Sequence, residues 1–445
     1  MISQIVFIAL LATAGWFIVK RTQFILRNLK LGRAATLSGR ASARWKNVMF
    51  IALGQKKMFD RPLSAVMHLF IYAGFIIINL EVLEILIDGI AGTHRVFAFA
   101  GTFYALLIAL FEWLAVLVIV ACVVFLARRN LLRIKRFHMR EMTTWPKSDA
   151  NIILVVEVLL MSAFLLMNSA DFTLLSRGLA SDPAGNAGDA VLTATAFPVS
   201  SGLAPALHSL SDHNLHLLER FCWWFHIAGI LGFIVYLSYS KHLHIILAFV
   251  NTYRSRINQP GALDNLPHVS REVKLMLDPG YTPAAEEMEP RKFGARDVMD
   301  LDRNQLIGAY SCTECGRCTA ECPANLTGKK LSPRKIMMDT RDRLEEVGRK
   351  MDAAGGNWTD DGRSLLHDYI TEEELWACTS CNACTRACPV NINPLDIIID
   401  LRRYLIMEES KSPESLTTMF NNIENSGSPW AMSAADRAAW TQSQP

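Results

Sequence analysis

The sequence has no Gly-rich dinucleotide fingerprint and no phosphate-binding loop, which removes the sequence-readable sites for a nucleotide cofactor. It has little excess charge of either sign, because 45 Lys and Arg stand against 42 Asp and Glu over 445 residues. From residue 257 onward 21 Lys and Arg face 29 Asp and Glu, so the polar part is acidic and a nucleic-acid partner loses its support. Long apolar runs are nearly absent after residue 255. The first apolar run lacks the basic start and the A-x-A-like site of a cleaved leader, and Lys20 and Arg21 follow it, so it reads as a retained anchor.

What is present divides the chain in two. Five stretches, roughly 2–19, 62–88, 96–127, 150–170 and 219–250, are long and apolar enough to span a bilayer. Residues 20–61 carry eleven Lys or Arg and one acid, Asp60, and residues 128–148 carry seven and one acid, Glu141. Lys and Arg near membrane ends stay cytoplasmic, so both loops are expected there. The 171–218 loop has a single Arg177 against four Asp and is expected outside. Five spans then place the N-terminus outside and the polar half in the cytoplasm.

Eight of the ten cysteines fall in two runs, CTECGRCTAECP and CTSCNACTRACP. Each is C-x2-C-x2-C-x3-C-P, in which three close thiolates hold one [4Fe–4S] cube and the fourth reaches the other. Two copies predict two cubes, one on Cys312, Cys315, Cys318 and Cys388, the other on Cys378, Cys381, Cys384 and Cys322. Zinc sites come as separated thiol pairs, and disulfides do not suit a reducing compartment, so both alternatives fit this pattern less well. Cys122 and Cys222 sit in apolar spans and read as packing residues. The 55 residues between the runs include SPRKIMMDTRDRLEEVG, with a Ser-Pro helix start. That connection is too long for a compact β-type ferredoxin and predicts an α-helical one. AAGGNWTDDGRS reads as a surface loop. The expected organisation is all-α: a five-helix transmembrane domain over 1–255, a linker over 256–300, a cytoplasmic α-helical ferredoxin domain over 301–410, and an arm over 411–445.

Ionisable groups inside a span are functional candidates. His226 and His244 are eighteen residues apart in the fifth apolar stretch. On one helix that is about five turns and about 27 Å, with both rings on one face near opposite boundaries. His68 lies six residues past Pro62, and His244 six before Val250. Both are therefore about 9 Å inside the same face, the depth match that two axial ligands of one haem require. Interfacial packing is the bland alternative for any one histidine. His242 reads as an interfacial group beside Lys241. Glu81, Glu84, Glu112 and Glu157 also fall within spans, where a carboxylate either relays protons for quinone chemistry or packs against a neighbouring helix.

The spans, their orientation and this spacing resemble the cytochrome b (gamma) subunit of membrane-bound nitrate reductase and the related membrane subunit of heterodisulfide reductase. The cysteine domain is similar to the small iron–sulfur subunit of heterodisulfide reductase, so the chain looks like a fusion of both over most of 1–405. The resemblance implies two b haems held by two histidines on the second span and two on the fifth. His226 and His244 match the fifth-span pair and His68 one second-span ligand. The other second-span histidine would fall near Ile78, and IYAGFIIINLEVLEIL contains none. One haem or two is therefore left open. His94 is the leading candidate opposite His226, with His208, His213, His216 and Met167 behind it.

The implied role is a respiratory electron-transfer subunit in a bacterial or archaeal cytoplasmic membrane. It would join the quinone pool to a cytoplasmic redox partner, a CCG-domain or flavin-containing subunit, through b haem and two [4Fe–4S] clusters. No CCG-type motif occurs, and the 57 residues after Cys388 are expected to be too few for such a domain. An electron-input subunit of a dehydrogenase feeding the quinone pool, such as one oxidising lactate, glycolate, glycerol phosphate or reduced electron-transfer flavoprotein, and a membrane redox sensor are the alternative readings.

Overall fold

The computed structural model describes residues 1–37, 39–132, 134–179, 196–257, 261–282 and 292–442. Parts of the expected external loop (180–195) and linker (258–260 and 283–291) lie outside the described residues. Five helices are long and apolar enough to cross a membrane: α1 (Ile2–Leu31), α2 (Pro62–Ala91), α3 (Thr102–Asn130), α4 (Trp145–Ser176) and α5 (Asp212–Leu237). Their ends follow local chemistry. Pro62 opens α2, and Gly92, at φ 77°, closes it by donating its N–H to the Asp88 carbonyl. Ser211 caps α5 by accepting from the Asn214 amide.

The five helices form a ring in which α2, α3, α4 and α5 pack in sequence and α1 closes against α2 and α5. Small residues allow the close approaches. A Cβ on Gly74 would lie 2.5 Å from Val118, and one on Gly229 would lie 2.6 Å from Leu160. Large apolar side chains such as Leu80, Leu83, Leu106 and Leu110 stay exposed on the outside of the ring. Such a surface needs lipid around it. The protein is a membrane protein.

The fifth stretch departs from the expected single helix. α5 ends at Leu237, and the chain turns through Ser238–Ser240 and a short 3-10 turn, Lys241–Leu243, into α6 (His244–Arg254). Polar groups hold the break. The Arg21 Nε donates to the Ser238 carbonyl at 3.0 Å, and Asp149 accepts both the Lys241 amide and the Tyr236 hydroxyl. His226 and His244 therefore lie on two helices, and the five-turn register does not apply to them.

The polar domain is built from α7 (Arg303–Tyr310), α8 (Pro333–Ala353) and α9 (Pro394–Met407) around the two cysteine runs. Ser332 and Pro333 start α8 as expected, with the Ser332 hydroxyl accepting from the Lys335 amide. Among the described residues there are isolated bridges and no strands, so the fold is all-α. The end of the bundle beside this domain is called the near end below, and the opposite end the far end.

α1 is more than an anchor. Its last turns enter the core of the polar domain through Ile25 and Leu29, and Asn28 donates to the Tyr310 hydroxyl at 3.1 Å. Arg21 pairs with Glu345 at 2.7 Å. The 411–445 arm contains α10 (Glu414–Ser426), none of whose residues is buried.

Candidate functional site

The two cysteine runs fold alike. In the first, Glu314 and Gly316 take left-handed φ of 54° and 70°; in the second, Ser380 and Asn382 take 55° and 60° at the equivalent positions. Left-handed backbone costs about 1–2 kcal/mol at each non-glycine residue, so the loops are held by their surroundings. The loops bend each triplet of thiols around a small cavity, and a short helix carries the fourth thiol to the other triplet. Cys312, Cys315, Cys318 and Cys388 line one cavity together with Met337 and Ile392. Cys322, Cys378, Cys381 and Cys384 line the second with Leu331 and Ile398. None of the ten cysteines is in a disulfide.

Cys312, Cys322, Cys384 and Cys388 are buried and Cys381 is exposed; burial pushes Cys312 and Cys384 up to about 12 and Cys388 up to about 11. Iron coordination reverses that preference, since a coordinating thiol is deprotonated outright. The surroundings suit an anionic cluster. Backbone amides of Ile392 and Ser380 point at the Cys388 and Cys378 sulfurs at 3.3 and 3.4 Å. Arg334 reaches the loop at Gly316, and Arg402 lies against the Cys378 carbonyl. Such donors and charges set cluster potentials.

The first quartet faces the near end of the bundle. Lys57 donates to the Cys388 carbonyl at 3.3 Å, and Arg317 donates to the Lys57 carbonyl at 3.0 Å. Glu314 is buried between Lys241 of the membrane half, at 2.5 Å, and Arg341 of α8, at 2.9 Å. Burial works to raise its carboxyl, but the two cations together outweigh it and hold the group below the ordinary range. Arg334, fully buried, pairs with Glu141 at 2.8 Å and donates to the Arg136 carbonyl.

Beyond this interface lie the imidazoles. The His68 and His244 rings are 6.5 Å apart between centroids and inclined at 47°. Two imidazoles ligating one metal at about 2 Å each put their centroids about 6 Å apart, so the spacing fits an iron between them. The His68 Nδ1 meets the Gln55 Oε1 at 3.0 Å, and the His244 Nδ1 donates to the Lys241 carbonyl at 3.2 Å. That places the proton on Nδ1 and leaves Nε2 as the atom that could take a metal. Gln55 is buried, in left-handed backbone at φ 49°. His242, beside Lys241, has its ring 5.2 Å from that of His244. Sequence reasoning missed Gln55, which only its left-handed turn brings in, and did not foresee that the helix break at Ser238–Ser240 sets His242 against His244.

His226 is 1% exposed, its Nδ1 donates to the Leu160 carbonyl at 3.0 Å, and its Nε2 has no partner among the described residues. The structure does not pair it with His94. His94 lies instead with Asp171 and Glu219, whose ligand-type atoms are within 4.8 Å of one another. Glu219 precedes His226 by seven residues, about 10 Å of rise along α5. His94 lies in the segment joining α2 to α3 at the far end, where the buried guanidinium of its neighbour Arg95 binds Asp171 at 2.7 Å. His208, His213 and His216 are exposed, and Met167 is buried.

Residues 311–392 match the model of the 4Fe-4S dicluster domain. Among curated proteins, the chain is 28% identical to the probable iron-sulfur-binding oxidoreductase FadF of Bacillus subtilis, over all of this chain and 61% of that protein. It is 26% identical to the EtfAB:quinone oxidoreductase of Syntrophomonas wolfei, over 89% of this chain and 53% of that protein. Over 27% of its length it is 31% identical to one of the subunits of the ferredoxin/F(420)H(2)-dependent CoB-CoM heterodisulfide reductase of Methanosarcina acetivorans, covering 60% of that protein. The chain thus spans about half to three fifths of the length of these relatives. No solved structure matches it. The polar domain is a 4Fe–4S dicluster domain, and the chain is an iron–sulfur electron-transfer protein of the membrane.

Proposed function

We propose that the chain carries electrons between a membrane quinone and a redox partner at its iron–sulfur domain. The observation that supports this most is the stacking order. Lys57 and Arg317 join the Cys312 quartet to the loop carrying Gln55, and Gln55 holds His68 opposite His244. In this reading His68 and His244 are the axial ligands of one b haem at the near end. The first cluster takes Cys312, Cys315, Cys318 and Cys388, and the second takes Cys378, Cys381, Cys384 and Cys322. A haem bound there supplies one-electron exchange between the membrane interior and the clusters. The protein's part is to fix both imidazoles through Gln55 and Lys241, to seat the first quartet through Glu314 and Lys241, and to exclude water around both. The near end lies in the cytoplasm of a bacterial or archaeal cell, where the partner carries a CCG-type or flavin site.

A direction is favoured by the similarity to the EtfAB:quinone oxidoreductase, which covers most of this chain. Electrons would then enter from a reduced electron-transfer flavoprotein at the second cluster and leave to the quinone. The partner test is a reduction assay with purified holoprotein: reduced flavoprotein should bleach the cluster absorbance in milliseconds to seconds, and no bleaching would exclude this partner. The ligand test uses electron paramagnetic resonance of the reduced protein. Cys315→Ser and Cys388→Ser should damage the same cluster although the residues are 73 positions apart. Loss of the cluster on Cys378, Cys381 and Cys384 in Cys388→Ser would refute the crossed assignment.

A further inference from the structure

The far end of the bundle holds a group of buried carboxylates for which the electron path has no use. Glu81, Glu84, Asp88, Glu112, Asp171 and Glu219 are each at most 6% exposed. Against these six stand the guanidiniums of Arg95 and Arg220 and the imidazole of His94. Burying that number of carboxylates is costly unless each finds a donor or a cation, so their partners decide which of them is left over.

Five of the six have donors or cations. Glu84 accepts from the Phe97 amide and from the Tyr104 hydroxyl, both at 2.8 Å. Asp88 accepts from the amide of Arg95, which is held in left-handed backbone at φ 52°. Glu112 accepts from Asn168 and from the Val199 and Ser200 amides. Asp171 binds Arg95, and Glu219 binds Arg220. Glu81 is the exception, since its Oε2 is buried with no partner among the described residues.

The His226 Nε2 is a second such atom, and depth relates the two. Glu81 is seven residues inward from Asp88 on α2, and His226 is seven inward from Glu219 on α5, about 10 Å in each case. Asp88 and Glu219 belong to one level, because Arg95 joins the first to Asp171 and Asp171 neighbours the second. Lateral contacts border one region of the ring interior. Phe164 lies 6.1 Å from the His226 ring, one turn from Asn168, which donates to Glu112; Glu81 is within electrostatic reach of Glu112.

We infer that Glu81 and His226 flank the head group of the quinone in the far half of the bundle, and that its protons exchange with the far side of the membrane. The site rests on the quinone reading above. On oxidation of a quinol, its two O–H bonds break and its two electrons leave one at a time for the protein's iron–sulfur centres. Its two protons pass through Glu81. Glu84 and Asp88 follow on the same face of α2 at i+3 and i+7, leading to the loop of His94, the half-exposed end of the group. Reduction runs the same steps backward. The His226 imidazole, its Nδ1–H committed to Leu160, offers Nε2 as acceptor for the quinol hydroxyl.

The test uses holoprotein in proteoliposomes with a pH dye in the lumen, a short-chain quinol, and external ferricyanide as an impermeant acceptor. Ferricyanide selects molecules whose iron–sulfur domain faces outward. Oxidation should acidify the lumen, and Glu81→Gln should slow it by at least about tenfold while the iron–sulfur resonance signals stay unchanged. Glu81→Asp should recover part of the rate, and His226→Gln should raise the KM for quinol more than it lowers kcat. Redox-difference infrared spectra should lose a protonated-carboxyl band in Glu81→Gln. Acidification of the external medium alone, or a Glu81→Gln protein at wild-type rate, would overturn the site. If the wild type does not oxidise quinol at all, the quinone reading itself fails and this site with it.

Discussion

At the scale of the residue, the most telling atoms are ring nitrogens. Three histidines of the bundle region, His68, His226 and His244, give Nδ1 to an oxygen acceptor and keep Nε2 free. Only His68 and His244 are close enough to share a metal. His68→Ala and His244→Ala should therefore each abolish the same low-spin b haem, because loss of either axial ligand opens the iron. His226→Ala should leave it intact, and a pyridine haemochrome assay should count one haem per chain. A count of two, with one lost in both His94→Ala and His226→Ala, would mean that those side chains move together when haem binds. The cysteine pattern was legible at this scale because C-x2-C-x2-C-x3-C fixes its own geometry. The company that His94 keeps was not, because Asp171 and Glu219 lie on other helices and a contact so far apart in sequence leaves no periodic trace.

At the scale of the element, the spans announced themselves by hydropathy, but their ends did not. The break after Leu237 lies inside a run apolar enough to continue as helix, and it is imposed by Arg21 and Asp149 from α1 and α4. The wider role of α1 is equally hidden, since its last three turns are polar and amphipathic only with respect to a domain some 300 residues away. Its crossing with α8 rests on Gly348. A Cβ there would lie 2.4 Å from the Asn28 Oδ1 and 2.7 Å from its Cγ, and Asn28 is fully buried. Two effects oppose each other in Gly348→Ala. Helix propensity favours alanine by about 1 kcal/mol, whereas overpacking a filled contact costs about 1–3 kcal/mol. The side chain must also break the Asn28–Tyr310 bond to yield, so packing wins. We expect Gly348→Ala to lower the thermal midpoint of the iron–sulfur domain by a few degrees, and Gly348→Leu to detach it from α1. An unchanged or raised midpoint would show that α1 is loosely seated.

At the scale of the whole molecule, charge decides orientation. The near-end loops 20–61 and 128–148 hold eleven and seven Lys or Arg with one acid each, and they face an acidic domain. Two forces use these cations. Some bind the domain directly, as Arg21 binds Glu345, Arg61 binds Glu321 and Arg334 on the other side answers Glu141. Exposed ones such as Arg40 and Lys46 are available to the headgroups, where each cation is worth about 1 kcal/mol against an anionic leaflet. Both forces put the iron–sulfur domain and the basic loops on one side, and on the orientation proposed above that side is the cytoplasm. The far end carries the opposite sign, with its arginines Arg95 and Arg220 tied to carboxylates. A reporter enzyme inserted at Gly355, in an exposed loop of the iron–sulfur domain, should therefore be active as a cytoplasmic fusion, and one at exposed Ser209, between Leu207 and the start of α5, as an external one. Both reporters on one side would contradict an odd number of crossings. Exchanged sides would keep the bundle but invert it, and would place the quinone's proton exchange toward the cytoplasm. Neutralising Arg128 at the end of α3, together with exposed Arg40 and Lys46 in the first loop, should weaken the bias and yield a mixed population, because positive charge near the membrane ends sets the orientation.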